Sequence, residues 1–157
     1  MRQIEFEWPE LGITVTANLA DDKNSSKCNI LWDNLPIETI QTHAFSSGDR
    51  MYAPTKIVSN VANEWVDPRS NNPQIGHWEE KYWGRVPVKP GLVMTNFNIS
   101  LSPIDIIYGQ LKEALPIAPV AYVVDEDLEK LANVGHAVWE GLMAQKGYKL
   151  IVRRKEK

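Results

Sequence analysis

The chain has 157 residues, a hydrophobic fraction of 43% and a formal net charge of −3. This length fits one domain, and the acidic balance argues against a general nucleic-acid binder, which needs a basic face to displace phosphate counterions. No apolar run reaches the roughly 20 residues that span a membrane, and residues 1–7 lack the basic and apolar regions of a signal peptide. Because Cys28 is the only cysteine, no internal disulfide can form. We therefore expect a single soluble, cytoplasmic domain over residues 1–157.

The N-terminal residues predict a β-hairpin. Residues 2–8 alternate polar and apolar side chains, and residues 13–19 do the same beyond a turn at 9–12. A period of two places successive side chains on opposite faces of a strand, so each segment is typical of a half-buried strand.

A short helix is predicted next. Asn24 or Ser25 can accept the free amide protons at its start, and Pro36 stops it. Its apolar positions recur at helical spacing and form one stripe, made of Cys28, Leu31, Trp32 and Leu35.

The centre of the chain predicts several short strands. Residues 37–44 alternate imperfectly and are followed by a polar turn at 46–49. Further strands are predicted at 50–59, 91–97, 104–108 and 118–124. Residues 60–90 are the least regular, and the aromatic and charged side chains at 77–85 suit either a subunit contact or a zwitterionic ligand.

The second helix is the clearest predicted element. Asp125 can cap its start, and Gly147 ends it. Its buried stripe is predicted to comprise Leu128, Leu131, Gly135, Val138, Trp139 and Leu142. His136 falls on the polar face and is expected to be solvated. Residues 148–154 predict a closing strand.

The order of these elements indicates the fold class. Many short strands are interrupted by two isolated helices. The chain shows no β-α-β repetition, so a doubly wound sheet is not expected. We therefore predict a mainly β protein, a closed barrel capped by the two helices.

Local motifs carry a resemblance to a known family. Residues 28–36 and 43–49 resemble the pattern C-x-x-x-W-x-x-L-P followed by H-x-x-x-S-G-[DE] of bacterial cyclophilin-like barrels, and residues 134–141 are also similar to that family. Within the group, residues 47–55 and 104–113 look most like the cucumopine and mikimopine synthases. The Phe-His-Arg context of the prolyl-isomerase site of true cyclophilins is absent.

This resemblance implies an activity. The cucumopine-type synthases join L-histidine to 2-oxoglutarate in a cofactor-free Pictet–Spengler condensation, so neither a metal nor a redox cofactor is expected. The resemblance also implies a homo-oligomer, a tetramer in that family, with small-molecule substrates and no nucleic-acid or membrane partner. It makes Glu113 a candidate base, although a solvated loop acid is the competing interpretation.

The segment from residue 43 to 52 holds the first group of candidate site residues. Its glycine turn can present amide protons, and Ser46 and Ser47 offer hydroxyls to a carboxylate. Arg50 suits a bidentate carboxylate clamp. His43 suits acid or base chemistry near neutral pH. The alternative is a hairpin turn with a surface arginine.

The predicted strand at 104–108 holds the second group. Asp105 and Ile107 point one way, and Tyr108 points the other, next to Gly109. The Tyr108 phenol suits donation to a carbinolamine oxygen, or it is an ordinary barrel tyrosine with a satisfied hydroxyl. Asp105 and Lys89 are assigned to substrate binding.

The sequence argues against metal and nucleotide sites. His43, His77 and His136 lack metal-ligand spacing, and Cys28 falls on an apolar helix face, so a structural zinc site is rejected. The glycine patterns of nucleotide-binding loops and of the serine-hydrolase elbow are absent.

Three functions remain open from the sequence. An opine-type synthase predicts a pocket that holds Arg50, a serine, Tyr108 and one acid. A non-catalytic module for an amino acid or an anionic ligand predicts the same pocket without a placed acid or base. A purely oligomeric barrel predicts that Trp65, Trp78 and Trp83 are buried between subunits.

Overall fold

The computed structural model describes residues 1–65, 90–95, 97, 101–111 and 118–156. Its strands form a closed antiparallel barrel in the order β1-β2-β7-β5-β6-β4-β3-β8. Their bounds are β1 Gln3–Trp8, β2 Ile13–Leu19, β3 Ile37–His43, β4 Gly48–Ala53, β5 Leu92–Thr95, β6 Ile104–Leu111, β7 Pro119–Val123 and β8 Tyr148–Arg154. Two helices, α1 (Ser25–Asp33) and α2 (Leu128–Met143), pack against the barrel. The predicted fold class is confirmed.

The core lies inside the barrel, where the alternating side chains of each strand point inward. Ile4, Phe6 and Trp8 of β1 are fully buried, and Phe6 stands opposite Val15 of β2. The buried indole of Trp8 donates a hydrogen bond to the amide oxygen of Gln41 at 3.2 Å, which satisfies a polar atom inside the barrel. The period-two pattern of the predicted hairpin therefore identifies the inner face correctly.

The pairing of β4 with β6 separates the candidate site residues onto two faces. Met51 stands opposite Ile106, and both belong to the core. Arg50 stands opposite Ile107 in the same ladder, one residue away from this inward pair. Because neighbouring residues of a strand point to opposite faces, Arg50 and Ile107 lie on the outer face of the barrel.

The ladder between β4 and β6 contains a bulge. Its register passes from Gly48 opposite Leu111 to Arg50 opposite Ile107. Two steps along β4 therefore match four steps along β6, so that Asp49 and residues 108–110 do not pair regularly. A bulge of this kind redirects a side chain locally, and here it brings Asp49 over Gly109.

Neither helix begins with the side-chain cap that the sequence predicted. The Asn24 side chain makes no cap; the carboxylate of Glu64 instead accepts a hydrogen bond from the amide of Ser26 at 2.6 Å. Residues Asp125–Asp127 form a 3-10 helix before α2 begins at Leu128. A carboxylate from a distant loop, which sequence spacing does not reveal, thus supplies the capping acceptor of α1.

The end of α2 also differs from the prediction. The helix ends at Met143 rather than near Gly147, because Gln145 adopts a left-handed conformation with φ of 56°. The amide of Lys146 then bonds back to the carbonyl of Gly141 at 2.7 Å, which closes the helix terminus. Within the described residues, neither helix has the length and apolar character that a membrane span requires.

Candidate functional site

A buried histidine and tyrosine meet inside the barrel. His43 ends β3 and is 2% exposed, and Tyr108 of β6 is 7% exposed. The Nε2 atom of His43 lies 2.7 Å from the Tyr108 hydroxyl, and its Nδ1 atom lies 2.7 Å from the carbonyl oxygen of Ala44. Because that carbonyl only accepts, we infer that Nδ1 carries a proton and that Nε2 of the neutral ring accepts from Tyr108.

Asp49 completes this arrangement through the bulge. Its Oδ2 atom accepts a hydrogen bond from the amide of Gln110 at 2.9 Å, and its negative charge contributes to the raised pKa of Tyr108. The carboxylate passes so close over Gly109 that a Cβ atom there would collide with it. We refer to Asp49, Tyr108 and His43 as the relay.

The electrostatics of the relay favour neutral ring groups at neutral pH. Burial, together with the negative charge of Asp49, raises the pKa of Tyr108 to about 12. Burial lowers the pKa of His43, and the Ala44 carbonyl and the charge of Asp49 oppose that shift only in part. Tyr108 therefore stays protonated while His43 is an available proton acceptor.

The relay allows two proton arrangements. With a neutral imidazole, the single Tyr108 proton is donated to Nε2 of His43. With a protonated imidazole, Nε2 donates to the tyrosine oxygen, and the tyrosine proton is then available to another acceptor.

Helix α2 holds the relay in place. A Cβ atom on Gly135 would collide with the Tyr108 ring, so the glycine allows the helix to lie directly on the tyrosine. The Trp139 ring meets His43 edge to face, with centroids 4.8 Å apart, and the His136 ring meets Tyr108 at 5.8 Å.

Two predictions for α2 change accordingly. Trp139 was expected in the buried stripe, yet its side chain is 38% exposed. Its ring still packs edge to face against His43. His136 is exposed as predicted, but its ring also lies perpendicular to the ring of Tyr108.

A second cluster lies on the outer face of β4 and β6. The Nε atom of Arg50 donates to Oδ1 of Asp105 at 2.9 Å, and Nη2 lies 2.7 Å from the same oxygen. The Nη1 atom donates to the hydroxyl of Ser47 at 3.2 Å. We refer to Ser47, Arg50 and Asp105 as the arginine cluster. Asp105 is buried, and its carboxylate orients the planar guanidinium.

The structure therefore divides the predicted pocket between two groups. Tyr108 and His43 meet inside the barrel, whereas Arg50 holds Asp105 and Ser47 outside it. The two groups are adjacent in the chain, since Asp49 of the relay directly precedes Arg50. Ser46 is exposed beside Ser47.

Several predicted residues lie outside the described part of the chain. These are Lys89, Glu113 and the block at 77–85, including His77, Trp78 and Trp83. Trp65 is described: it is partly buried, and the ammonium of Lys23 lies 5.0 Å from its ring centroid.

Sequence reasoning missed Asp49 and Gly135 as members of the site. Asp49 occupies the acidic position of the S-G-[DE] pattern, which was the available signal. Gly135 was assigned to the buried stripe, but its role in admitting Tyr108 depends on a ring from a distant strand.

A cleft of about 480 Å³ lies on another part of the barrel wall. It opens where β3 leaves β4: the two strands pair only at Thr42 with Tyr52 and at His43 with Met51. The cleft is lined by Asn34, Ile37, Glu38, Thr39, Pro54, Thr55, Lys56 and Ile57. None of these residues belongs to the relay or to the arginine cluster.

The described residues offer no group of three potential metal ligands. Cys28 is buried, and its thiol lies 3.3 Å from the carbonyl oxygen of Val120. Burial raises the pKa of this thiol to about 12, so that it stays protonated and unreactive at neutral pH.

Two solved structures are similar to this chain. The structure of McbB in complex with tryptophan shares 29% identity and a TM-score of 0.76, over 98% of this chain and 45% of that chain. This chain thus spans less than half the length of McbB. The solution structure of the hypothetical protein AF2241 from Archaeoglobus fulgidus shares 13% identity and a TM-score of 0.58, over 98% of this chain and 95% of that chain.

The similarity to AF2241 shows the fold alone. The similarity to McbB shows a related barrel in a protein that has been solved with a bound amino acid. No protein-family model and no curated protein matches the sequence.

Proposed function

We propose that the protein is an opine-type synthase, which condenses L-histidine with 2-oxoglutarate in a cofactor-free Pictet–Spengler reaction. The observation that carries the proposal is the relay, in which a protonated tyrosine is hydrogen-bonded to a neutral imidazole and its pKa is raised in part by a carboxylate. The related McbB structure contains tryptophan, an amino acid whose ring is also a carbon nucleophile, and this supports an amino-acid substrate.

The chemistry requires an acid and a base but no net oxidation. The histidine amine attacks the keto carbon of 2-oxoglutarate, and the resulting carbinolamine loses water to form an iminium ion. A ring carbon of the imidazole then attacks the iminium carbon, and that ring carbon loses its proton. The product is the sum of both substrates minus one water.

The relay is suited to the proton transfers. Tyr108 remains protonated at neutral pH, so it acts as the acid that helps water leave the carbinolamine. Asp49 is the partly exposed end of the relay and accepts the ring proton. His43 accepts the hydrogen bond of the Tyr108 hydroxyl, since its lowered pKa keeps the imidazole neutral, and the proton that Asp49 takes up restores Tyr108 after each turnover.

The arginine cluster is the proposed carboxylate subsite. The two substrates bring three carboxylates, which need cationic partners. Arg50 directly follows Asp49, and Asp105 and Ser47 hold its guanidinium in a defined orientation. Lys89 and Glu113 remain predictions for substrate binding and base chemistry.

The test is a direct assay. Purified protein is incubated with L-histidine and 2-oxoglutarate, and mass spectrometry is used to search for the condensed product. Tyr108→Phe is expected to lower the rate by about 10²–10⁴-fold, the usual contribution of a placed acid. Tyr122→Phe is the matched control, because Tyr122 of β7 pairs with Asn18 of β2, away from the relay and the arginine cluster.

The outcomes separate the competing functions. Product from L-tryptophan but not from L-histidine would support the Pictet–Spengler reaction and contradict L-histidine as the amino-acid substrate. A thermal shift with either substrate, without product from either amino acid, would contradict the synthase and favour a binding module. Equal rates for Tyr108→Phe and the wild type would remove the relay from the mechanism.

A further inference from the structure

A lysine is buried at the other end of the barrel. Lys27 is 6% exposed and lies on the face of α1 that also buries Cys28 and Leu31. Its Nζ atom donates to the backbone carbonyl of Thr95 at 3.2 Å. An ammonium carries three donors, yet among the described residues this carbonyl is its one hydrogen-bond partner, and no carboxylate there pairs with it.

The residue that Lys27 contacts has an unsatisfied hydroxyl. Thr95 is 4% exposed, and its Oγ1 atom is buried without a hydrogen-bond partner. Thr95 stands opposite Ile104, which belongs to the core, so the threonine side chain points into the barrel. A buried hydroxyl without a partner is unfavourable, and such groups are rare in folded proteins.

The ammonium of Lys27 and the hydroxyl of Thr95 can both donate a hydrogen bond to the same kind of partner. Both Lys27 and Thr95 carry protons to donate, and among the described residues the backbone carbonyl of Thr95 is the one acceptor that bonds to either group. Burial lowers the pKa of Lys27, and no charged neighbour contributes to the shift. A bound anion with two acceptor oxygens would satisfy both donors and compensate the buried positive charge.

This end of the barrel is separate from the relay. Thr95 pairs with Ile104, whereas Tyr108 lies four residues further along β6. At about 3.3 Å per residue, the two positions are about 13 Å apart along the strand. The core residues Met51, Val93 and Ile106 occupy the level between them.

We propose that Lys27 and Thr95 form a buried binding site for a small carboxylate. One carboxylate oxygen accepts from the Lys27 ammonium, and the other accepts from the Thr95 hydroxyl. The site is of the acetate class, because the partners are two side chains enclosed by apolar core rather than a wide polar surface. It does not depend on the proposed synthase activity.

The experiment compares acetate with chloride at equal ionic strength. Thermal unfolding is followed for the wild type, Lys27→Met, Thr95→Val and Lys56→Met. Lys56 is exposed, so its substitution is the control for loss of one positive charge. Replacing a buried amine by an apolar side chain of similar length is usually neutral or stabilising, so Lys27→Met is expected to fold.

We expect a saturable acetate-dependent rise in Tm for the wild type and for Lys56→Met. The rise should be smaller in Thr95→Val and absent in Lys27→Met. An equal rise in Lys27→Met, or no difference between acetate and chloride in the wild type, would overturn the site. Tyr108→Phe should keep the acetate effect, which distinguishes a failure here from a failure of the synthase.

Discussion

Gly135 of α2 lies directly on the ring of Tyr108, and the helix has no room there for a single additional carbon atom. The hydroxyl of the same tyrosine is 2.7 Å from His43. The helix therefore determines the ring position on which the relay depends, although it contributes no hydrogen bond to the relay itself.

Gly135→Ala tests this close approach. The new methyl group must displace the Tyr108 ring or the helix, and overpacking of this kind costs about 1–3 kcal/mol of the free energy of unfolding. Urea denaturation measures the loss. Asn133→Ala, at an exposed position of α2, should change stability by less than about 0.5 kcal/mol. Alanine gains about 1 kcal/mol of helix propensity over glycine, so a midpoint raised above the wild-type value would contradict the packing.

Asp49→Asn tests the electrostatic link to Tyr108. The carboxylate contributes to the raised pKa of the tyrosine, so its removal should lower that pKa toward the ordinary value. Ultraviolet titration of the phenolate measures the change, and the Tyr108→Phe variant identifies the transition that belongs to this residue. A pKa that does not fall in Asp49→Asn would show that the carboxylate does not act on the hydroxyl.

His43 predicts a pH dependence of stability. Its pKa in the folded state lies below the unfolded value of about 6.5. Between these two values the unfolded chain binds more protons, so stability is present above about pH 6.5 and decreases as the pH falls toward the folded pKa.

The measurement is Tm across this pH range for His43→Gln and for His136→Gln. His136 is exposed, and it is the matched control. We expect a shallower pH dependence for His43→Gln and an unchanged slope for His136→Gln. Parallel curves for His43→Gln and the wild type would mean that another group controls the fall of Tm at low pH.

Arg50 and Asp105 predict an energetic coupling. Removal of one partner leaves the other with fewer hydrogen bonds. The loss of stability in each single alanine variant should therefore include the cost of leaving the remaining partner unpaired. A double-mutant cycle with Arg50→Ala and Asp105→Ala should give a coupling energy of about 0.5–3 kcal/mol. Additive effects of the two substitutions would show that the guanidinium is not held by this carboxylate.

Much of the fold could be predicted from local pattern. The alternation in residues 2–8 and 13–19 defines the hairpin, and the alternation of residues 104–108 separates inward Tyr108 from outward Asp105. These predictions succeed because a strand has a period of two, so a side chain's face follows from its position in the chain.

The strand ends were less predictable. The strand expected at 50–59 ends at Ala53, and the strand expected at 104–108 continues to Leu111. Strand ends depend on which neighbour supplies the ladder hydrogen bonds, and pairing between distant strands has no local signature. The bulge that places Asp49 over Gly109 arises in the same way.

The sequence by itself determined the inner and outer faces of the strands, the two helices and the residue types that suit acid–base chemistry. Only the tertiary structure decided which of those residues meet: it joined His43 to Tyr108 and Asp49, and it placed Arg50 with Asp105 on the opposite face. The physical reason is that periodicity is a property of one segment, whereas a hydrogen bond between side chains depends on the register between strands that are far apart in the chain.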